Sequence, residues 1–327
     1  MKKIASLILC AMMMLSALAL VSCGGTDAKL KLGLGVHSVA EKATNADGDT
    51  NGQAQAVITA AAVLVDADGK IVKCFIDVAD NTVAYTSEGK AVANESFKTK
   101  YELGYDYNMK KYGSAKEWFE QVDAFCALVE GKTVSEVKAL VAEGGKGTSD
   151  VVSAGCTIAV SDFAIAVEKA VKNAVASEAT AKSTLKLGVA TEQTNKDASE
   201  DASGESKLET TLFAAAVDAD GKIVAASSEC VQIAFTFDAN GTSTFDTTKA
   251  ISGKRELGDS YGMKNPNYGS AKEWYEHANA FETACIGKKA GEVTSLLGEN
   301  GYGNADLQAA GCTVVVSGFV KAASKVG

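Results

Sequence analysis

Two stretches of this chain carry the tetrapeptide Ala-Gly-Cys-Thr ahead of an apolar, helix-like run: DVVSAGCTIAVSDF at 150–163 and DLQAAGCTVVVSGF at 306–319. The groups in them that can do chemistry are the thiols of Cys156 and Cys312 and the hydroxyls of Thr157 and Thr313. A thiol a few residues before a helix sits in a field that lowers its pKa slightly, so these are candidate redox thiols. A buried structural cysteine is the ordinary expectation, and a disulfide comes next. His37 and His277 are the only histidines, and neither recurs in the matching half; His277 falls where the first half has Gln121. Both read as surface histidines rather than as general bases. No HExxH, CxxC or paired Cys/His spacing occurs, so zinc has no support. Asp47, Asp49, Asn51 and Gly52 follow the order of an EF-hand loop, but Ile58 stands where the bidentate glutamate belongs. The second half, around Asp197 and Asp201, lacks the glycine; both read as polar loops.

The elements that must position these groups are written twice. LKLG at 30–33 returns at 185–188, VDADGKIV at 65–72 returns at 217–224, and YGSAKEWFE at 112–120 returns as YGSAKEWYE at 268–276. ELGYDYNMK at 102–110 returns as ELGDSYGMK at 256–264. The near-constant offset marks a tandem duplication of a unit of ordinary domain size rather than a short solenoid repeat. Each copy reads as α+β: a small antiparallel sheet with packed helices. A first strand (Leu30–Val36, Leu185–Val189) precedes a polar loop and two apolar runs broken by Asp-Ala-Asp-Gly-Lys, the punctuation of a hairpin. Trp118, Val122, Phe125 and Val129 share one face of a helix that ends near Gly131, and they read as core. Thr133 and Glu136 form a capping box. Ser161 reads as the cap of a last helix facing the core with Phe163, Val167, Ala170 and Val171. The boundary falls near 178–184, which gives copies at 23–178 and 179–327.

The N-terminus, MKKIASLILCAMMMLSALALVSC, has the charge, apolar core and small residues of a secretory leader over residues 1–22. Leu20-Val21-Ser22-Cys23 resembles a bacterial lipobox, which makes Cys23 the site of lipid attachment. The expected location is therefore the cell membrane, lipid-anchored on its extracytoplasmic face. Loss of Lys2 and Lys3 takes the net charge from −9 to −11. A surface this acidic repels polyanions, so nucleic acid is excluded as a partner. Six cysteines remain, three in each copy, and export permits disulfides without fixing their pairing.

The segment DVVSAGCTIAVSDFAIAVEKAVKNA resembles the closing segment of the FMN-binding domain family, approximately D-x-x-[ST]-G-A-T-x-[TS] followed by a helix. A DADGKI hairpin, an ELG turn and a Trp/Phe helix leading to GK precede it in the family's order, in both copies. The resemblance implies that Thr157 and Thr313 carry FMN through a phosphoester bond. It places Asp150 and Asp306 at the motif aspartate, and Gly155 and Gly311 at the glycine where backbone approaches phosphate. Both copies depart from the motif by one extra residue between aspartate and threonine and by cysteine in place of alanine, and Ala309 stands where the first copy has Ser153. Tyr107, Met109 and Lys110, with Tyr261, Met263 and Lys264, recur beside the ELG turn, where an aromatic ring, a thioether and a cation suit the wall of a flavin cleft. The expected function is a lipid-anchored electron carrier, served by a flavin transferase and a membrane electron donor, with no catalytic residue of its own. The alternative is a cofactor-free surface-binding lipoprotein on the same fold.

Overall fold

The protein is described here by a computed structural model over residues 27–327. The leader and Cys23 lie outside the described residues. Strands β1 (Lys31–Thr44), β2 (Gly52–Val65) and β3 (Ile71–Tyr85) form an antiparallel meander, with short β4 (Ala91–Val92) on its far edge. Helices α1 (Lys100–Leu103), α2 (Trp118–Val129), α3 (Val134–Lys138), α4 (Ser149–Ala154) and α5 (Ser161–Lys172) follow, and β5 (Val175–Ala176) returns to pair with β1. The second copy repeats the plan with β6 (Thr184–Lys196), β7 (Gly204–Val217) and β8 (Ile223–Phe237). Its helices are α6 (Lys254–Leu257), α7 (Trp274–Cys285), α8 (Ala305–Ala309) and α9 (Ser317–Ser324). The molecule is α+β, with one five-stranded and one three-stranded antiparallel sheet.

Both Asp-Gly hairpins form as the sequence reads. Asp66 Oδ1 accepts the N–H groups of Asp68 and Lys70, and Asp218 Oδ1 accepts those of Asp220 and Lys222. The side chain replaces backbone partners that a tight turn cannot supply. Strand β2 then shows why its run is apolar throughout. Ala54, Ala56, Ile58, Ala60, Ala62 and Leu64 point to one face, while Val57, Ala61, Val63 and Val65 point to the other. A strand buried on both faces loses the polar/apolar alternation of a half-exposed one. The first face packs against the sheet of the other copy, where Leu208, Leu212, Ala214 and Ala216 of β7 meet it; the second carries the copy's own helices. The layers are therefore helix, sheet, sheet, helix. The central core belongs to both copies, and each outer core belongs to one. At the seam Tyr85 stacks on Phe237 with ring centroids 4.6 Å apart, and Asn81 Nδ2 donates to Thr191 Oγ1 and Thr210 Oγ1 at 3.0 and 3.3 Å.

The repeated LKLG motif has a packing cause. A Cβ on Gly33 would lie 1.9 Å from the carbonyl oxygen of Ala170, and one on Gly188 would lie 2.0 Å from that of Ala322. Glycine lets the closing helices α5 and α9 lie directly on β1 and β6. Helix α2 buries Trp118, Val122, Phe125 and Val129, and the Thr133–Glu136 capping box is present. One expectation is corrected: Ser161 does not cap α5. Val160 occupies the cap position with no side-chain bond, and Ser161, the first helical residue, turns its Oγ to Asp162 Oδ1 at 3.1 Å.

Candidate functional site

The Ala-Gly-Cys-Thr turn begins where a short helix stops. Gly155 takes φ 104° and Gly311 φ 99°, a region in which a side chain is strained. The amides of Cys156 and Cys312 turn back to the carbonyls of Val151 and Leu307, both at 3.1 Å. That geometry drives the cysteine side chains inward and the threonines outward. Cys156 and Cys312 are fully buried, while Thr157 and Thr313 are exposed. Burial raises both thiols, Cys312 to about 11. The expectation of a helix-activated thiol is thereby corrected, because desolvation outweighs the weak field of a helix start.

Each threonine is held from below by a residue of the long helix. Gln121 Oε1 accepts the Thr157 amide at 2.8 Å and its hydroxyl at 2.9 Å, while Gln121 Nε2 donates to Ser114 Oγ and the Lys116 carbonyl. In the second copy His277 does this work. Its Nδ1 lies 3.2 Å from the Thr313 amide, and its Nε2 lies 3.3 Å from Ser270 Oγ. Ser270 Oγ donates to the Lys272 carbonyl and can accept from Nε2, whereas Nδ1 faces both the Thr313 amide, which donates, and the Gly311 carbonyl, which accepts, so the ring tautomer selects between those two contacts. His277 is 1% exposed, which corrects its reading as a surface histidine. Burial holds its pKa below the ordinary value, opposed by the Gly311 carbonyl 3.0 Å from Nδ1.

A lysine lies over each glycine. A Cβ on Gly155 would stand 2.0 Å from Lys116 Nζ, and one on Gly311 would stand 2.0 Å from Lys272 Nζ. Lys272 Nζ also donates to the Gly311 carbonyl at 3.2 Å. An ammonium group therefore lies over the glycine two residues before an exposed threonine in both copies.

The arm after the ELG turn is fastened by buried carboxylates. Glu117 and Glu273 accept the amides of Met109 and Met263 at 2.7 and 2.9 Å. Asp77 on β3 accepts the Tyr101 amide at the start of α1, and Glu229 on β8 accepts those of Arg255 and Glu256 at the start of α6. Desolvation raises both, Asp77 to about 6. Tyr107 and Tyr261 lie under Lys100 and Lys254, with Nζ 5.3 and 5.4 Å from the ring centroids. In the second copy Tyr261 and Met263 share a cleft of about 170 Å³ with Val314 and Val315, the residues after Thr313. Lys254, Glu209 and Thr211 also line it. Lys110 and Lys264 are exposed, and Lys110 pairs with Glu120 at 3.2 Å. Asp150 and Asp306 stand exposed in the first turns of α4 and α8.

The structure thus brings Met109 against the Gln121 that holds Thr157 in the first copy, and Tyr261 and Met263 to the residues after Thr313 in the second. It adds Gln121, His277, Lys116 and Lys272, which the sequence reading did not select. The signal for the lysines was present in YGSAKEW, shared unchanged by both copies. Among the described residues no group of three His, Cys, Asp or Glu side chains could hold a metal, and no helix is long and apolar enough to cross a membrane.

The residues that would meet the phosphate end of FMN are compatible with it: an exposed threonine and a glycine backbone with a cation over it. At the ring end the cleft is smaller than the roughly 300 to 1,000 Å³ of sites that enclose such a molecule. The cleft would therefore take only part of such a ring, with Tyr261 and Met263 among the residues that would line it. Comparisons with family models, curated proteins and solved structures return no match for this chain.

Proposed function

We propose that this protein is a membrane-tethered electron carrier holding FMN by phosphoester bonds at Thr157 and Thr313. The observation that carries this reading is the doubled arrangement of an exposed threonine whose amide is held from the helix below and whose motif glycine, two residues earlier, lies under a lysine ammonium. When bound, FMN supplies one- and two-electron transfer. The chain's own residues bind and orient. Gln121 and His277 hold the threonine amides, so the acceptor oxygens keep a fixed direction. Lys116 and Lys272 offset phosphate charge on a surface that is otherwise acidic. Tyr261 and Met263 offer an aromatic ring and a polarisable thioether beside Thr313. In the first copy Gln121 accepts the Thr157 hydroxyl, and esterification releases that bond while leaving the amide bond in place. A lipid on Cys23 keeps the carrier at the membrane, where its donor resides.

The test is expression with a flavin transferase, followed by denaturation and removal of free flavin. Flavin absorbance retained on the denatured chain supports the reading. Absence of flavin both before and after denaturation overturns it and leaves a cofactor-free surface-binding lipoprotein, which the small size of the cleft would then explain.

A further inference from the structure

We infer that Cys74 and Cys126 form a thiol–disulfide pair that reversibly staples helix α2 to strand β3 in the first copy only. Cys126 lies on the buried face of α2, in the same outer core as Cys74, and the end of that helix is bonded to the start of β3, where the Gly131 amide donates to the Ile71 carbonyl at 2.7 Å and the Ile71 amide to the Lys132 carbonyl at 2.9 Å. Cys74 and Ile76 are two apart on β3, hence on the same face. That face is the one packed against α2, and both cysteines belong to the outer core of the first copy. Cys126 is 7% exposed and Cys74 is only partly buried, so a soluble oxidant reaches Cys74 first.

The second copy shows what the pair replaces. Ala226 stands at the place of Cys74 and Glu282 at that of Cys126. There the long helix is tied to the third strand by Glu282, which accepts the Ser228 amide at 2.7 Å and the Ser228 hydroxyl at 2.6 Å and pairs with Arg255. The same helix–strand junction is thus fastened by an ionic network in one copy and by two thiols in the other. Because α2 also carries Gln121, the junction fixes the helix that holds the Thr157 amide.

The oxidant is a low-molecular-weight disulfide, RSSR. The Cys74 thiolate attacks one of its sulfurs, forming a Cys74–SR mixed disulfide and releasing one RSH after protonation. Cys126 then loses its proton and attacks Cys74 Sγ, forming the intramolecular S–S bond and releasing the second RSH. Two cysteine thiols are oxidised by two electrons in total, one RSSR is reduced, and the two thiol protons leave on the two RSH molecules. The neighbouring Cys74 thiol and burial push the Cys126 thiol well above its ordinary range, so the second step accelerates as pH rises.

The experiment treats the full chain with glutathione disulfide, then denatures it, alkylates free thiols and maps peptides by mass spectrometry. The expected result is a crosslinked peptide pair containing Cys74 and Cys126, with Cys156, Cys230, Cys285 and Cys312 alkylated. Reduction should restore both thiols, and oxidation should raise the unfolding midpoint by closing a long loop. Cys74→Ser, at the more accessible position, should leave Cys126 alkylated and abolish that rise. Glutathione retained on Cys74 with Cys126 free, or a crosslink between other cysteines, would overturn the proposal.

Discussion

Asp77 gives the sharpest energetic prediction. Its carboxylate is 4% exposed, on the third strand of the first sheet, and it receives the amides of Val78 and Tyr101 at 2.7 and 3.1 Å. Those bonds and the Thr99 hydroxyl favour the ionised form, yet burial outweighs them and lifts the pKa from 3.8 to about 6. Because the folded value lies above the unfolded one, the group's contribution is fully present below pH 3.8 and is lost as pH rises through about 6. At roughly 1.4 kcal/mol per pH unit, the ionised group costs about 3 kcal/mol at neutral pH. Asp77→Asn keeps an oxygen for both amides and removes the charge. The variant should therefore exceed the parent in stability at pH 7 by about 2 to 3 kcal/mol. The difference should shrink toward zero near pH 4. Urea unfolding of both proteins across this range measures it. A difference that does not change with pH would refute the desolvation argument. So would a variant less stable than the parent at pH 7.

Other consequences follow from particular contacts. Gly33→Ala drives a methyl into the Ala170 carbonyl and should cost about 1–3 kcal/mol in urea unfolding, a loss well above that of an unstrained surface change. A chain ending at residue 178 leaves the inner faces of β1 and β2 uncovered. It should self-associate or fail to fold in size-exclusion chromatography, whereas a stable monomer would contradict the shared core. His277 is held neutral, with its folded pKa below 6.5, so its contribution is present above pH 6.5 and falls away as pH drops. Hydrogen exchange at the Thr313 amide should quicken in acid in the parent more than in His277→Gln, which carries the residue of the first copy.

Much of the architecture could be read directly. The hairpins announce themselves through Asp-Gly, because an aspartate oxygen and a left-handed glycine complete a tight turn locally. The long helix follows from Trp118, Val122, Phe125 and Val129, spaced for one buried face. The sheet-on-sheet pairing could not be read, because β2 is apolar on both faces and periodicity does not say which face meets a helix and which a second sheet. The site was legible at its outward threonines and left-handed glycines. Its supports were not. Asp77, Glu117, Glu229 and Glu273 have the composition of surface residues, and only the fold surrounds them with backbone amides. Ser161 misled because a serine before an apolar run is a common cap, whereas here Val160 makes the entry with φ −124° and ψ 2°.

The central claim is that Thr157 and Thr313 are flavin acceptors, and intact mass tests it most directly. The parent chain, Thr157→Ala, Thr313→Ala and the double variant would each be produced with a flavin transferase and weighed after denaturation. The parent should carry two FMN phosphoester increments, each single variant one, and the double variant none. A parent chain with no increment would contradict it, as would an increment that survives in the double variant.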